Sequence, residues 1–348
     1  MKNLPLIGIM VSKKGKRENC LNLYLSYVSN LKIKLLAFTP KDINWQDKKI
    51  TALIKNNDKF SEMVFPLPDV ILNRLYRKNK KIVKRLEKII GKNRCFNHVN
   101  FLNKWKVYKI LMNTDLKQYL PITFLYGQGN INKMLKKYRC LYLKPCYGCC
   151  GKRVYKIVIT DDGEIKFYNH TVKAKETFQN KQKFKEKIQK ITYSKKYIVQ
   201  QEVPMTRYNE NSFDIRVLVQ KNIKGFWAIT NMASRITNKF FSNTSLFEKI
   251  DLTEHVLNQL DLLNKDKVIT ALNDISIKTA QHLEKKLGHL GELSVDFGLA
   301  RDGKLTIIEV NGKPQKKIYD YLKDKDAIEN IYKRPLEYAY YLCKVEEW

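Results

Sequence analysis

The chain of 348 residues is expected to combine an α/β unit with α+β units. Three observations carry that expectation. From Leu4 to about Arg94, short apolar runs alternate with helical segments, the pattern of a parallel sheet. Beyond Met112 the strand-like runs follow one another across short turns such as Asp161-Asp162-Gly163, which favours antiparallel pairing. The closing hairpin, Glu292 to Asn311, sets Glu309 and Asn311 into an otherwise apolar strand. The length suits two or three domains, and the pattern divides it at 1–96, 97–200 and 201–348.

In order, Leu4 to Val11 reads as a buried first strand, Glu18 to Leu31 as a helix and Lys34 to Phe38 as a strand. After a polar stretch, Val70 to Arg74 gives another strand and Lys80 to Ile90 a basic amphipathic helix. No G-x-G-x-x-G accompanies this unit, so it lacks the dinucleotide-binding fingerprint. A helix over Lys104 to Met112 precedes strands at Pro121 to Tyr126, Cys140 to Lys144, Arg153 to Ile159 and Ile165 to Tyr168. Asn180 to Ile191 is a lysine-rich helix and Tyr197 to Val203 a strand. The last unit has strands at Asp214 to Gln220 and Gly225 to Thr230, a long helix at Lys265 to Leu287, and the closing hairpin.

That hairpin turns at Arg301-Asp302-Gly303-Lys304, where Asp-Gly tolerates unusual backbone angles. Side chains alternate along a strand, so Glu309 and Asn311 share one face. If Asp296 of the paired strand joins them, three oxygen-bearing groups converge, a donor set for Mg²⁺ shared with nucleotide phosphates. A charge interrupting Ile307, Ile308 and Val310 is costly unless paired, which favours a metal over a merely wet face.

Composition narrows the classes. Hydrophobic residues make up 44% of the chain, enough for a real core, and no apolar run approaches the roughly 20 residues that span a bilayer. The N-terminal apolar stretch is short, contains Pro5 and Gly8 and lacks a small-residue cleavage site, so a cytoplasmic chain is the default expectation. Seven irregularly spaced cysteines form no secretory framework, and Cys146, Cys149 and Cys150 lack the second ligand pair of a zinc site. The five histidines show no metal or triad spacing. The net charge of +32 draws polyanions. The lysines are dispersed, however, with local concentrations at Arg77 to Lys88 and Lys173 to Lys196, and no nucleic-acid module accompanies them.

Lys144 stands at a strand end before a loop carrying Gly148 and Gly151. Glycines let backbone N–H groups approach phosphate oxygens, and a lysine adds a point charge beside them. The P-loop pattern G-x-x-x-x-G-K-[ST] is absent. Taken with their order, the motifs from Asn97 to Pro314 resemble the ATP-grasp superfamily, and within it the YheC/YheD-type family associated with bacterial endospore coats. The resemblance implies an ATP-grasp fold, in which two α+β subdomains behind the N-terminal domain clasp ATP. Lys104 falls at the family's first nucleotide-contacting lysine, and Lys144 with Gly148 and Gly151 at the second lysine and its loop. Gln201, Glu202 and Val203 match the hinge strand that reads adenine and ribose. Asp214 and Arg216 match the D-x-R strand, where the arginine serves phosphates or the acyl substrate, and Arg235 matches a second such arginine. Asp296, Glu309 and Asn311 match the Mg²⁺ ligands. The polar segment after Arg235, Ile236 to Leu246, lacks the paired glycines of the family's loop on the acyl-substrate side.

The activity implied is an ATP- and Mg²⁺-dependent ligase that activates a small carboxylate or peptide as an acyl phosphate for an amine or thiol, with deposition in or on the spore coat. A rival of another class is a basic coat component that associates with polyanions and keeps only a nucleotide-binding shell.

Overall fold

The computed structural model describes residues 4–27, 31–57, 59–76, 80–127, 131–169, 171–238, 246–261 and 264–345. Its strands fall into three sheets. In the first, the apolar run β1 (Leu6–Met10) pairs in parallel with β2 (Lys34–Phe38) and β6 (Val70–Asn73), and β6 with β7 (Cys95–Phe96). Nearly every side chain of β1, β2 and β6 is buried, as expected of parallel strands covered on both faces. Helices α1 (Arg17–Leu25) and α2 (Lys80–Ile90) belong to this unit.

The sheet is mixed rather than wholly parallel. The polar stretch after Phe38 holds β3 (Ile43–Asn44), β4 (Lys49–Asn56) and β5 (Lys59–Pro66), and the last two form an antiparallel hairpin. Most side chains of β5 are exposed, so it carries no buried-strand signature. Helix α1 ends at Leu25, short of the expected Leu31, and residues 28–30 lie outside the described residues.

Helix α3 (Lys104–Met112) is capped by Asn103, whose side chain accepts from the Lys106 N–H. It leads to an antiparallel sheet of β8 (Thr123–Leu125), β9 (Cys140–Pro145), β10 (Tyr155–Ile159), β11 (Ile165–Tyr168), β12 (Glu176–Phe178) and β13 (Tyr197–Gln201). Helices α4 (Ile131–Tyr138) and α5 (Lys181–Thr192) close a separate small core over Leu141, Leu143, Ile157, Phe167 and Val199.

The third sheet orders β17-β16-β15-β18-β19, with β14 (Arg207–Tyr208) at the start of β15 (Asn211–Lys221). Strand β16 is Trp227–Thr237, β17 Phe247–Leu252, β18 Glu292–Leu299 and β19 Leu305–Asn311. Helix α6 (Thr253–Asn258) follows β17. One face of the sheet packs Phe213, Ile215, Val217, Val295 and Phe297 in a core shared with α3 and α7 (Lys265–Leu287). The other face packs Leu218 and Ala233 in a core shared with α8 (Lys325–Lys344) and with Ile7, Val70 and Leu72 of the first sheet. The first and third sheets thus share a core, while the middle sheet has its own.

Candidate active site

The site grows from strand register. Asp214 and Arg216 alternate with Ile215 and Val217, so they leave the α7 core face together. Directly opposite pairs in antiparallel strands share a face. Arg235 lies opposite Asp214, Asp296 opposite Arg216, and Glu309 opposite Asp296. Asn311, opposite Ser294, completes one polar face. A bulge between Asp296 and Phe297 adds Ile308 to β19. It lets Ile307 face the core opposite Phe297 while Glu309 faces Asp296.

Charges on this face are paired acid to base. Arg216 donates to both oxygens of Asp296, at 2.7 and 2.7 Å, and Arg235 donates to Asp214 at 2.7 and 2.5 Å. Arg235 Nη2 reaches Asp296 Oδ2 as well, at 3.0 Å. Asp214, Arg216, Arg235 and Asp296 are between 1% and 6% exposed. Burial raises the cost of charge on Asp296, but Arg216 and Arg235 outweigh it and hold its carboxyl below the ordinary range. Arg216 and Arg235, the latter just before the segment that departs from the family pattern, thus meet at the centre of this polar face.

The middle sheet adds the lysines. Lys104 Nζ lies 2.8 Å from Glu309 Oε1 and donates to the Gly148 carbonyl at 3.2 Å, joining α3, β19 and the glycine loop. The Lys104 N–H also donates to the Cys146 carbonyl at 2.8 Å. Lys144 donates to Gln200 Oε1 at 2.5 Å, and Gln200 donates to Thr123 Oγ1 at 3.1 Å. Burial, with Lys104 beside it, brings Lys144 down to about 8 although Glu309 and Asp296 pull the other way. A small cavity of about 40 Å³ lies here, lined by Lys104, Lys144, Gln200 and Glu309 among others.

The loop itself is tightly built. A Cβ on Gly148 would come 2.9 Å from Pro145 Cγ, and Gly151 has φ +65°. Tyr147 is held by an aromatic row, Tyr76 to Phe101 at 4.6 Å and Phe101 to Tyr147 at 5.1 Å. The seven cysteines are free thiols.

At the hinge, β13 ends at Gln201, two residues before the expected Val203. The Gln201 N–H donates to the Ile122 carbonyl, and Glu202 pairs with Lys156 at 2.7 Å. Val203 and Met205 press on Gly298 of β18, where a Cβ would meet Val203 Cγ1 at 2.9 Å. Residues 239–245 of the polar segment lie outside the described residues.

Gln200 and Thr123, which hold Lys144, carry no motif, but Gln200 could have been found from its alternation with Val199 along β13. A further triad, Glu87, His98 and His289, brings one ligand atom from each within 4.8 Å of the others, which histidine spacing did not suggest. His98 Nε2 is 2.9 Å from Glu87, and His289 Nε2 is 2.5 Å from the Tyr338 hydroxyl, so this group ties α2 to the third sheet's flank. Two roomier cavities, about 510 Å³ beside Asp115 and Lys278 and about 440 Å³ beside His289 and Tyr338, lie away from the acid–base face.

The asparagine and two acids form an oxygen donor set, the kind a hard divalent cation such as Mg²⁺ takes. No helix among the described residues is long and apolar enough to cross a membrane.

Comparisons with known proteins agree with this architecture. The family model described as YheC/D-like ATP-grasp matches residues 92–342. The chain is 27% identical over 323 residues to the endospore coat-associated protein YheD of Bacillus subtilis (strain 168), covering 88% of this chain and 70% of the relative. It is 24% identical over 323 residues to the endospore coat-associated protein YheC of the same organism, covering 89% and 88%. Among solved structures, a D-alanine–D-alanine ligase from Bacillus anthracis complexed with ATP superposes with a TM-score of 0.54 at 13% identity, over 99% of this chain and 100% of that one. The VanG D-Ala:D-Ser ligase from Enterococcus faecalis gives 0.54 at 14% identity, over 98% and 99%. The fold is ATP-grasp, and the chain belongs to the YheC/D-like ATP-grasp family.

Proposed function

We propose that the chain is an ATP-dependent ligase that joins a carboxylate to an amine or thiol through an acyl phosphate. One observation supports this above the others: the acids and bases of the site interlock on one face, Asp296 with Arg216 and Arg235, and Glu309 with Lys104. Mg-ATP carries both complementary charges. Its metal suits Asp296, Glu309 and Asn311, and its phosphates suit the four bases Lys104, Lys144, Arg216 and Arg235. Mg²⁺, when bound, neutralises phosphate charge during transfer.

The chain's own residues do the rest. Lys104, Lys144 and the backbone of Gly148 and Gly151 position the phosphates, while Gln201, Glu202 and Val203 border the nucleoside. Arg216 and Arg235 serve the γ-phosphate and the incoming carboxylate from the face where their carboxylates hold them. Asp214 keeps Arg235 oriented. A carboxylate oxygen bonds to the γ-phosphorus as the bond to the β–γ bridging oxygen breaks, releasing ADP. The amine or thiol then attacks the acyl carbon, inorganic phosphate leaves, and the nucleophile's proton passes to solvent. The buried guanidinium groups stabilise charge where it develops. Both relatives are named endospore coat-associated proteins, which supports a coat-linked role for this chemistry.

The test is a melting curve with Mg-ATP, followed by ADP release with carboxylates and an amine. At about 100 times its dissociation constant, Mg-ATP should stabilise the fold by ~2.7 kcal/mol. Glu309→Ala and Asn311→Ala should fold yet lose Mg²⁺-dependent ADP release. Normal turnover in both folded variants would remove the metal assignment, and nucleotide binding without turnover by the unaltered chain would favour a basic coat component.

A further inference from the structure

Strand β18 turns Glu292, Ser294 and Asp296 to one face. Glu292 lies about 13 Å from Asp296 along the strand, four residues at ~3.3 Å each, and it meets a different set of groups. Arg74 Nη1 is 2.7 Å from one of its oxygens and Lys316 Nζ 2.9 Å from the other. Lys313, two residues past Asn311, donates to the Arg74 carbonyl at 2.7 Å. Lys16, just before α1, adds its charge at Lys313. Two cations thus contact one carboxylate, and two more, Lys313 and Lys16, lie beside them. Among the described residues no carboxylate forms an ion pair with Lys313 or Lys16, whereas Glu292 is shared by Arg74 and Lys316.

The place is where the topology of an open α/β sheet puts a crevice. Strand β1 has β2 on one side and β6 on the other, all parallel, so the chain order reverses at β1. Open α/β sheets receive ligands outside the carboxyl ends of strands at such a point. Arg74 follows β6 there, and its N–H donates to the Met10 carbonyl at the end of β1.

We infer, resting on the ligase reading, that this crevice receives the carboxylate substrate and that the substrate bears a second anionic group. Its reacting carboxylate lies toward Asn311 and Arg216, and its second anion lies on Lys313 and Arg74. Lys313 follows Asn311 by two residues through a bend, at most about 7 Å along the chain, so a spacer of several atoms joins the two acidic groups. A second carboxylate and a phosphonate or phosphate offer the same chemistry to a guanidinium and an ammonium.

The experiment measures ADP release by the full chain with Mg-ATP and hydroxylamine, which traps acyl phosphates. The acids are butyrate and hexanoate, then succinate, glutarate and adipate, then 3-phosphonopropionate. A two-anion acid should exceed the monoacids in kcat/KM by about tenfold or more, the worth of one charge-assisted contact, and the best member identifies the second group as carboxylate or phosphonate. Lys313→Ala should raise KM for that acid about tenfold while Kd for Mg-ATP stays within twofold. Should that variant not fold, Lys16→Ala, at an exposed position, should give the same loss in smaller measure. Equal use of mono- and diacids, or a KM untouched in the folded variants, overturns the inference and leaves the ligase reading standing. Bound Mg-ATP with no ADP release on any acid overturns both.

Discussion

At the scale of single residues, the proposed nucleotide site contains Lys144, a cation whose charge is poorly tolerated. Burial brings it down to about 8, so it is mostly charged at pH 7 and mostly neutral at pH 9. Only the charged form attracts phosphate. A bound phosphate raises the lysine's pKa, so affinity begins to fall near pH 8 and goes on falling above it. Titration calorimetry from pH 7 to 9.5 should show Kd for Mg-ATP rising, and Lys144→Gln should bind more weakly with that part of the pH dependence gone. A flat profile in the unaltered chain would exclude Lys144 from the nucleotide site. The sequence singled out Lys144 by its place before Pro145 and two glycines. It did not single out Gln200 and Thr123, which orient the amine: Gln200 shows only as a polar residue beside Val199, and the hydrogen bond between the two leaves no pattern in composition or spacing.

At the scale of elements, the glycine loop transmits the position of Lys104 through the Gly148 carbonyl. In Gly148→Ala the new methyl would crowd Pro145, and the loop must shift. The expected result is about tenfold weaker Mg-ATP binding, the loss of roughly one charge-assisted hydrogen bond. The melting temperature should change little, since the loop lies off the middle core. Calorimetry of binding and of unfolding separates the two effects. The closing hairpin was legible because alternation alone puts Glu309 and Asn311 on one face. The same alternation would have put Ile307 there too. The bulge at Ile308 reverses its side, and a bulge reflects the fit between two strands rather than the pattern of either. Strand β5 escaped notice because it buries little, so its sequence carries no apolar period.

At the scale of the whole molecule, Glu292 fastens the first sheet to the third. It is 1% exposed and holds Arg74, Lys316 and Gln220, while Asn97 accepts from the Gly291 and Glu292 N–H groups. Although burial opposes its charge, Lys316 and Arg74 bring its carboxyl down to about 2 from an ordinary 4.5. A depressed carboxyl stabilises the fold fully above its unfolded value, so this contribution is complete above pH 4.5 and is lost as pH falls toward about 2. Glu292→Gln leaves two buried cations without a counter-charge and should cost about 3–5 kcal/mol. Urea melts at pH 7 should show that loss, and the variant's stability should fall less between pH 4.5 and 3 than the parent's. An unchanged midpoint at pH 7 would mean that the sheets are held by their shared apolar core alone. The parallel pairing of β1 with its neighbours and the antiparallel sheets after it could be read from the order of strands and turns. The joining of the first sheet to the third could not, since Arg74 and Glu292 are 218 residues apart and meet only through the packing of separate sheets.

Because the outer sheets share one core and the middle sheet has its own, β18 serves as a ruler. Asp296 marks one graduation and Glu292, with the cations around it, marks another on the same rigid strand. Movement of the middle sheet can bring Lys144 and the glycine loop toward this scale or away from it, but it cannot stretch the scale. For an acid bound as inferred above, the span between its reacting end and its anchored end would be set before any nucleotide arrives, and the molecule would sort its substrates by length.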